Sequence, residues 1–80
     1  MRYAQWNEMA EAHLLELGLT KDEVEPLLRQ RIDANACEPY GPRGRLRTVI
    51  KVRKKGKFGV EFCVLDRTPW IQAVYEEQES

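Results

Sequence analysis

GPRGRLRTVIKVRKKGKFGVEFCVLDR, from Gly41 to Arg67, decides how this chain folds. Two runs in it alternate with period two, as half-buried strands do. In the first, Leu46, Thr48, Ile50 and Val52 point one way, while Arg45, Arg47, Val49, Lys51 and Arg53 point the other. In the second, Phe58, Val60, Phe62 and Val64 form the apolar set, opposed by Gly59, Glu61, Cys63 and Leu65. Both apolar sets must share one face, which predicts Val52 opposite Phe58, Ile50 opposite Val60, Thr48 opposite Phe62 and Leu46 opposite Val64. Lys54, Lys55 and Gly56 are then the loop, with glycine supplying a positive φ at its end. The stretch is a β-hairpin.

Its charge gives it more than a scaffolding role. Arg43, Arg45, Arg47, Lys51, Arg53, Lys54, Lys55 and Lys57 lie between Gly41 and Phe58 with no acid among them. On the outward face Glu61 comes opposite Val49 and diagonal to Arg47 and Lys51, and it offsets only part of that field. A basic strand face with a lysine-rich tip suits phosphate oxygens along a nucleic-acid backbone. Exposed Lys and Arg also keep strands from aggregating edge to edge, but eight cations exceed what that needs.

Eighty residues make one small domain, which buries only about 60 % of the surface its unfolded chain exposes. The formal net charge of +0 conceals a segregation. Residues 1–40 and the stretch from Gly59 onward are acid-rich, so the chain runs acidic, basic, acidic. Two poles of this kind allow nucleic acid at one and a basic protein at the other, or self-association as a homodimer. No apolar run has membrane-spanning length and no signal segment is visible, so the expected location is the cytoplasm and no membrane partner is expected. Cys37 and Cys63 have no metal-ligand spacing, and a disulfide between them is poorly motivated there.

The first half reads as two helices, 1–34. Trp6, Met9, Ala10, His13, Leu14 and Leu17 form one stripe, ended by Gly18 in the left-handed conformation with Leu19 closing back. Thr20 to Glu23 fits a capping box, and Val24, Leu27, Leu28 and Ile32 continue as a second stripe. Pro26 removes a bond to the Asp22 carbonyl, so the first turn should be tight or kinked. His13 is a packed or rim residue on this reading, because no partner for metal binding or base catalysis has a telling spacing.

Asn35 to Gly44 is a loop, and Asn35 can end the second helix. Tyr40 within it is either a stacking platform for a base or partner, or a lid over the sheet edge. Thr68-Pro69 could open a helix, but Trp70, Ile71, Val74 and Tyr75 favour a third strand. The fold expected is therefore α+β: a helical hairpin packed on an antiparallel meander over 45–75, with a frayed acidic tail over 76–80.

No phosphate-binding loop, dinucleotide fingerprint, zinc-protease motif or nucleophile–base pair is present, and no cofactor or metal is implied. The leading expectation is a non-enzymatic nucleic-acid-binding module, with the outer hairpin face and tip on phosphates and Arg43 or Tyr40 at its flank. The alternative is a small, phage-like regulator or inhibitor, of the sort mobile elements encode, that occludes a protein partner by charge complementarity. A third reading comes from likeness. Leu46 through Tyr75 is similar to the C-terminal half of RelE-like toxins, where a basic strand, a second strand, a following arginine and a late tyrosine contribute to RNA cleavage. The resemblance implies Arg47, Arg67 and Tyr75 in those places, although the chain is expected to open on a helix rather than that family's strand.

Overall fold

A computed structural model describes residues 3–77. The architecture is α+β: a helical hairpin packs on one face of a five-stranded sheet. The chain runs β1 (Gln5–Trp6), α1 (Glu8–Leu17), α2 (Lys21–Asp33), β2 (Glu38–Pro39), β3 (Leu46–Val52), β4 (Gly56–Leu65) and β5 (Thr68–Glu76). Strand order is β1-β5-β4-β3-β2, with β1 parallel to β5 and every other pair antiparallel.

The expected first helix begins late. Asn7 caps it, its side-chain oxygen accepting from the Ala10 N–H at 2.7 Å. The residues before Asn7 join the sheet edge instead, Gln5 opposite Trp70 and Trp6 opposite Ile71, and the Asn7 N–H extends the ladder to the Ile71 carbonyl at 3.2 Å. Trp6 is therefore not on the helical stripe; its indole N–H donates to Glu25 at 2.7 Å. Met9 is also off the packing face, at 64 % exposure, and Ala10 and Leu14 are the buried residues of α1. Residues 1 and 2 of the expected helix lie outside the described residues.

The other helix signals are present. Gly18 takes φ 70°, and the Leu19 N–H closes on the Leu14 carbonyl at 2.9 Å with the Leu19 side chain buried. Thr20 and Glu23 form the reciprocal capping box. Pro26 sits inside α2, whose first turn is tight: the N–H groups of Glu23 and Val24 both bond the Thr20 carbonyl, at 3.1 and 3.2 Å. Asn35, at φ 54°, ends α2.

In the hairpin the faces are as expected, but the pairing slips by two residues. Val52 lies opposite Gly56, Ile50 opposite Phe58, Thr48 opposite Val60 and Leu46 opposite Phe62. The chain reverses through Arg53, Lys54 and Lys55, one residue earlier than expected, with the Lys55 N–H on the Val52 carbonyl at 3.0 Å. Lys54 (φ 68°) and Gly56 (φ 110°) carry the left-handed conformations. An even slip keeps every side chain on its face, so the core is unaffected. Thr48, Ile50, Val52, Phe58, Val60 and Phe62 are buried with Val24, Leu28, Ile71 and Val74, while Val64, unpaired with Leu46, is exposed.

The meander gains two short edge strands. Within the expected loop, β2 sets Glu38 opposite Arg47 and Pro39 opposite Leu46, and the Tyr40 N–H bonds the Arg45 carbonyl at 2.8 Å. β5 is the third strand of the meander, joined to β4 by Asp66 and Arg67, both at positive φ (53° and 64°). The tail is not frayed at its start: Glu76 is in β5, and the Glu77 N–H bonds the Lys57 carbonyl at 3.0 Å. Residues 78–80 of that tail lie outside the described residues.

Candidate functional site

Both helices cover the same sheet face, so the opposite face lies open. Side-chain alternation brings Arg47, Val49 and Lys51 of β3 onto it, with Arg45 just before that strand, beside Lys57, Gly59, Glu61, Cys63 and Leu65 of β4 and Ala73 and Tyr75 of β5, and a bulge in the β4–β5 pairing turns Trp70 to the same side. The candidate cations divide into two groups there.

The middle of the face is neutralised from within. Arg47 donates through Nε to the Tyr75 hydroxyl at 2.7 Å, pairs with Glu77, and has Glu38 at 3.8 Å. Its guanidinium lies over the rings of Tyr40 and Tyr75, 5.9 and 5.7 Å from their centroids. With 17 % side-chain exposure, this arginine ties β2, β3, β5 and the following residue together rather than reaching for a ligand. Bonds to Glu77 and then Tyr75 hold its proton more tightly than usual. Burial raises the Tyr75 phenol above its ordinary value, against the lowering effect of Arg47, so the hydroxyl that accepts from Arg47 keeps its proton near neutrality. Arg45 pairs with Glu61 at 3.3 Å. Tyr40 is half exposed at the β2 edge, over Arg47.

The tip holds the second group. Lys51 and Lys57 face each other directly across β3 and β4, both exposed, with exposed Arg53 and Lys54 beyond them. Lys55 is drawn away: its ammonium donates to the Gly18 carbonyl at 2.6 Å and to Glu23 at 2.9 Å, pinning the tip to the helical hairpin. That bond to Lys55 is the main reason the Glu23 carboxyl is held below its usual value. Arg43 is exposed in the β2–β3 turn at φ 65°.

Lys51 and Lys57 also border a cleft of about 410 Å³ beside α2, with Leu27, Gln30, Arg31, Val49 and Ile50. Among the described residues its lining carries three cations and no carboxylate. Arg31 lines this cleft although the chain's charge pattern hides it, because it belongs to the acid-rich half. Its Nε donates to the Thr48 hydroxyl at 3.1 Å, which places it beside the β3 edge. A second cleft, of about 450 Å³, has the opposite character, with Asp22, Glu25 and Asp33 against Arg29.

Of the residues implied by the toxin resemblance, Arg47 and Tyr75 meet, whereas Arg67 sits in the β4–β5 turn, eight residues before Tyr75 and about 25 Å away along an extended strand. The described residues also open on a short strand, β1, rather than on the helix expected. His13 serves the sheet, its Nδ1 accepting the Val74 N–H at 3.2 Å on the edge of β5. Both cysteines are free thiols. Among the described residues no helix is long and apolar enough to cross a membrane.

Comparison with protein-family models, with curated proteins and with solved structures finds no match to the chain.

Proposed function

We propose that this chain is a small nucleic-acid-binding module that holds phosphates at the tip of its basic hairpin without catalysing a reaction. The observation that carries this reading is the group of exposed cations at the hairpin tip, Lys51, Arg53 and Lys54, with Lys57 across the ladder from Lys51. An anion at the tip meets several cations of one short turn at once, and Arg31 extends the field beside the β3 edge. The cleft beside α2 offers further room for a phosphate among Arg31, Lys51 and Lys57. Arg43 flanks the face from the β2–β3 turn, whereas Arg45, Arg47 and Lys55 maintain its shape. Two free thiols suit a reducing compartment, and the cytoplasm is the location proposed.

Titration of the protein with labelled RNA and DNA at low salt tests the reading. Saturable binding that Lys51→Gln with Lys57→Gln weakens is the expected result. Failure to bind either nucleic acid overturns it; capture of a protein partner that survives nuclease digestion then favours the charge-complementary regulator. Cleavage of the RNA that is lost in Tyr75→Phe would favour the ribonuclease.

A further inference from the structure

We infer that the nucleic acid taken by this face is single-stranded, with Trp70 as the platform on which a base stacks. The inference rests on the phosphate-binding reading and identifies its ligand more closely.

Phosphate contacts at the tip leave the other end of the open face unexplained. There Trp70 lies opposite Cys63 on β4, with Gln5 of β1 on its other side, and Leu65 follows at the end of β4. Trp70 is 40 % exposed and Leu65 57 %, on a face that both helices leave bare. The two tryptophans of the chain contrast sharply. Trp6 is partly buried and its indole N–H is bonded to Glu25, whereas the Trp70 indole makes no hydrogen bond within the described residues. An amphipathic ring whose N–H has no partner among the described residues, on an open sheet face, suits a ligand with flat apolar surfaces and polar edges.

The spacing selects among nucleic acids. From Lys57 to Cys63 is six residues of one strand, about 20 Å. A single strand laid along β4 therefore has phosphate contacts at the tip and a base over Trp70 several nucleotides away. Between them the face is compatible with such a path. Gly59 is covered by the flat Tyr75 ring, Ala73 is small, and Arg45 stands on the next strand but one from Trp70, about 10 Å across the sheet. A duplex keeps its bases stacked on one another and has no π-face to offer an exposed indole; a single strand offers one at every base. Both helices face away, so no helix is placed to enter a major groove.

The test compares unstructured RNA and DNA strands of one sequence with the matching duplexes, by anisotropy at fixed low salt. The proteins are the parent, Trp70→Ala, Trp70→Phe, and the double variant Lys51→Gln with Lys57→Gln, each checked for an unchanged melting transition. The parent should prefer a single strand to the duplex. Trp70→Ala should weaken single-strand binding about 5- to 150-fold, the effect of losing one stacked base, and leave duplex binding unaltered. Trp70→Phe should recover most of it, and the lysine variant should weaken both ligands. Preference for RNA or DNA then names the source of the strand. Single-strand affinity unchanged in Trp70→Ala, or a parent that prefers duplex, overturns the inference while leaving the basic tip in place. Absence of binding to every ligand overturns the phosphate reading and the inference with it.

Discussion

Gly59 is where the open face is most tightly specified, and replacing it with alanine tests how that face is built. A Cβ at this position would lie 2.7 Å from Cε2 and 2.9 Å from Cζ of Tyr75, and 3.1 Å from a Glu77 oxygen. Carbon atoms in contact rest at about 3.5–4.0 Å, so the ring must move by close to 1 Å. Its hydroxyl is held by the Arg47 Nε at 2.7 Å, so the movement also strains the network at the centre of the sheet. Overpacking of this kind costs about 1–3 kcal/mol. Against it, removing a strand glycine returns about 0.5–1 kcal/mol of backbone entropy. The net expectation for Gly59→Ala is a loss of about 0.5–2 kcal/mol, or several degrees of Tm in a domain this small. In a Tyr75→Ala background the ring is gone and only the end of the flexible Glu77 side chain has to give, so the same substitution should stabilise by about 0.5–1 kcal/mol. Urea denaturation of the four proteins of this cycle measures the coupling, expected at about 1–3 kcal/mol. Equal stabilisation by Gly59→Ala in both backgrounds would refute the packing of Tyr75 on Gly59.

Three further outcomes follow from particular contacts. His13→Ala deprives the Val74 N–H of its acceptor and should cost about 1–3 kcal/mol in a denaturant titration. Arg67→Gly relieves a left-handed residue in the β4–β5 turn and should stabilise by about 1 kcal/mol, read as a higher urea midpoint with an unchanged m-value. The Glu23 carboxyl is held low by Lys55, so its contribution is present above the ordinary carboxylate range and is lost as pH falls through the lowered folded value. The Tm difference between parent and Lys55→Gln should therefore be full at neutral pH and shrink on acidification through that range; a difference independent of pH would contradict the Lys55–Glu23 contact.

The elements legible in the sequence were those whose signals are local. Gly18 with Leu19, and Thr20 with Glu23, mark a helix end and a helix start through bonds spanning only a few residues. Period-two alternation placed every β3 and β4 side chain on its face. In β5 a bulge opposite Glu61 and Phe62 interrupts the alternation and turns Trp70 to the open side, which the sequence pattern does not show. What could not be read depends on partners distant in sequence. Pairing of Gln5 and Trp6 with Trp70 and Ile71, which cuts the first helix short, is visible only once β5 is in place. The register slip turns on a single loop residue, since reversing at Arg53–Lys55 frees Lys55 to reach the Gly18 carbonyl and Glu23. For the site, the run of cations was evident but their division was not. Arg47 is consumed by Glu77, Tyr75 and Glu38, and Arg31 enters from the acid-rich half, because folding rather than sequence order sets which charges meet.

The salt dependence of binding tests the central claim most directly. With Lys51, Arg53, Lys54 and Lys57 on phosphates, the affinity for a single strand should fall with salt at a log–log slope of about −3. Replacing Lys51 and Lys57 together with glutamine removes two of those contacts and should reduce the slope to about −1.5, with the protein still folded because both side chains are exposed. A slope in the double variant equal to that of the parent would contradict the assignment of phosphates to the hairpin tip.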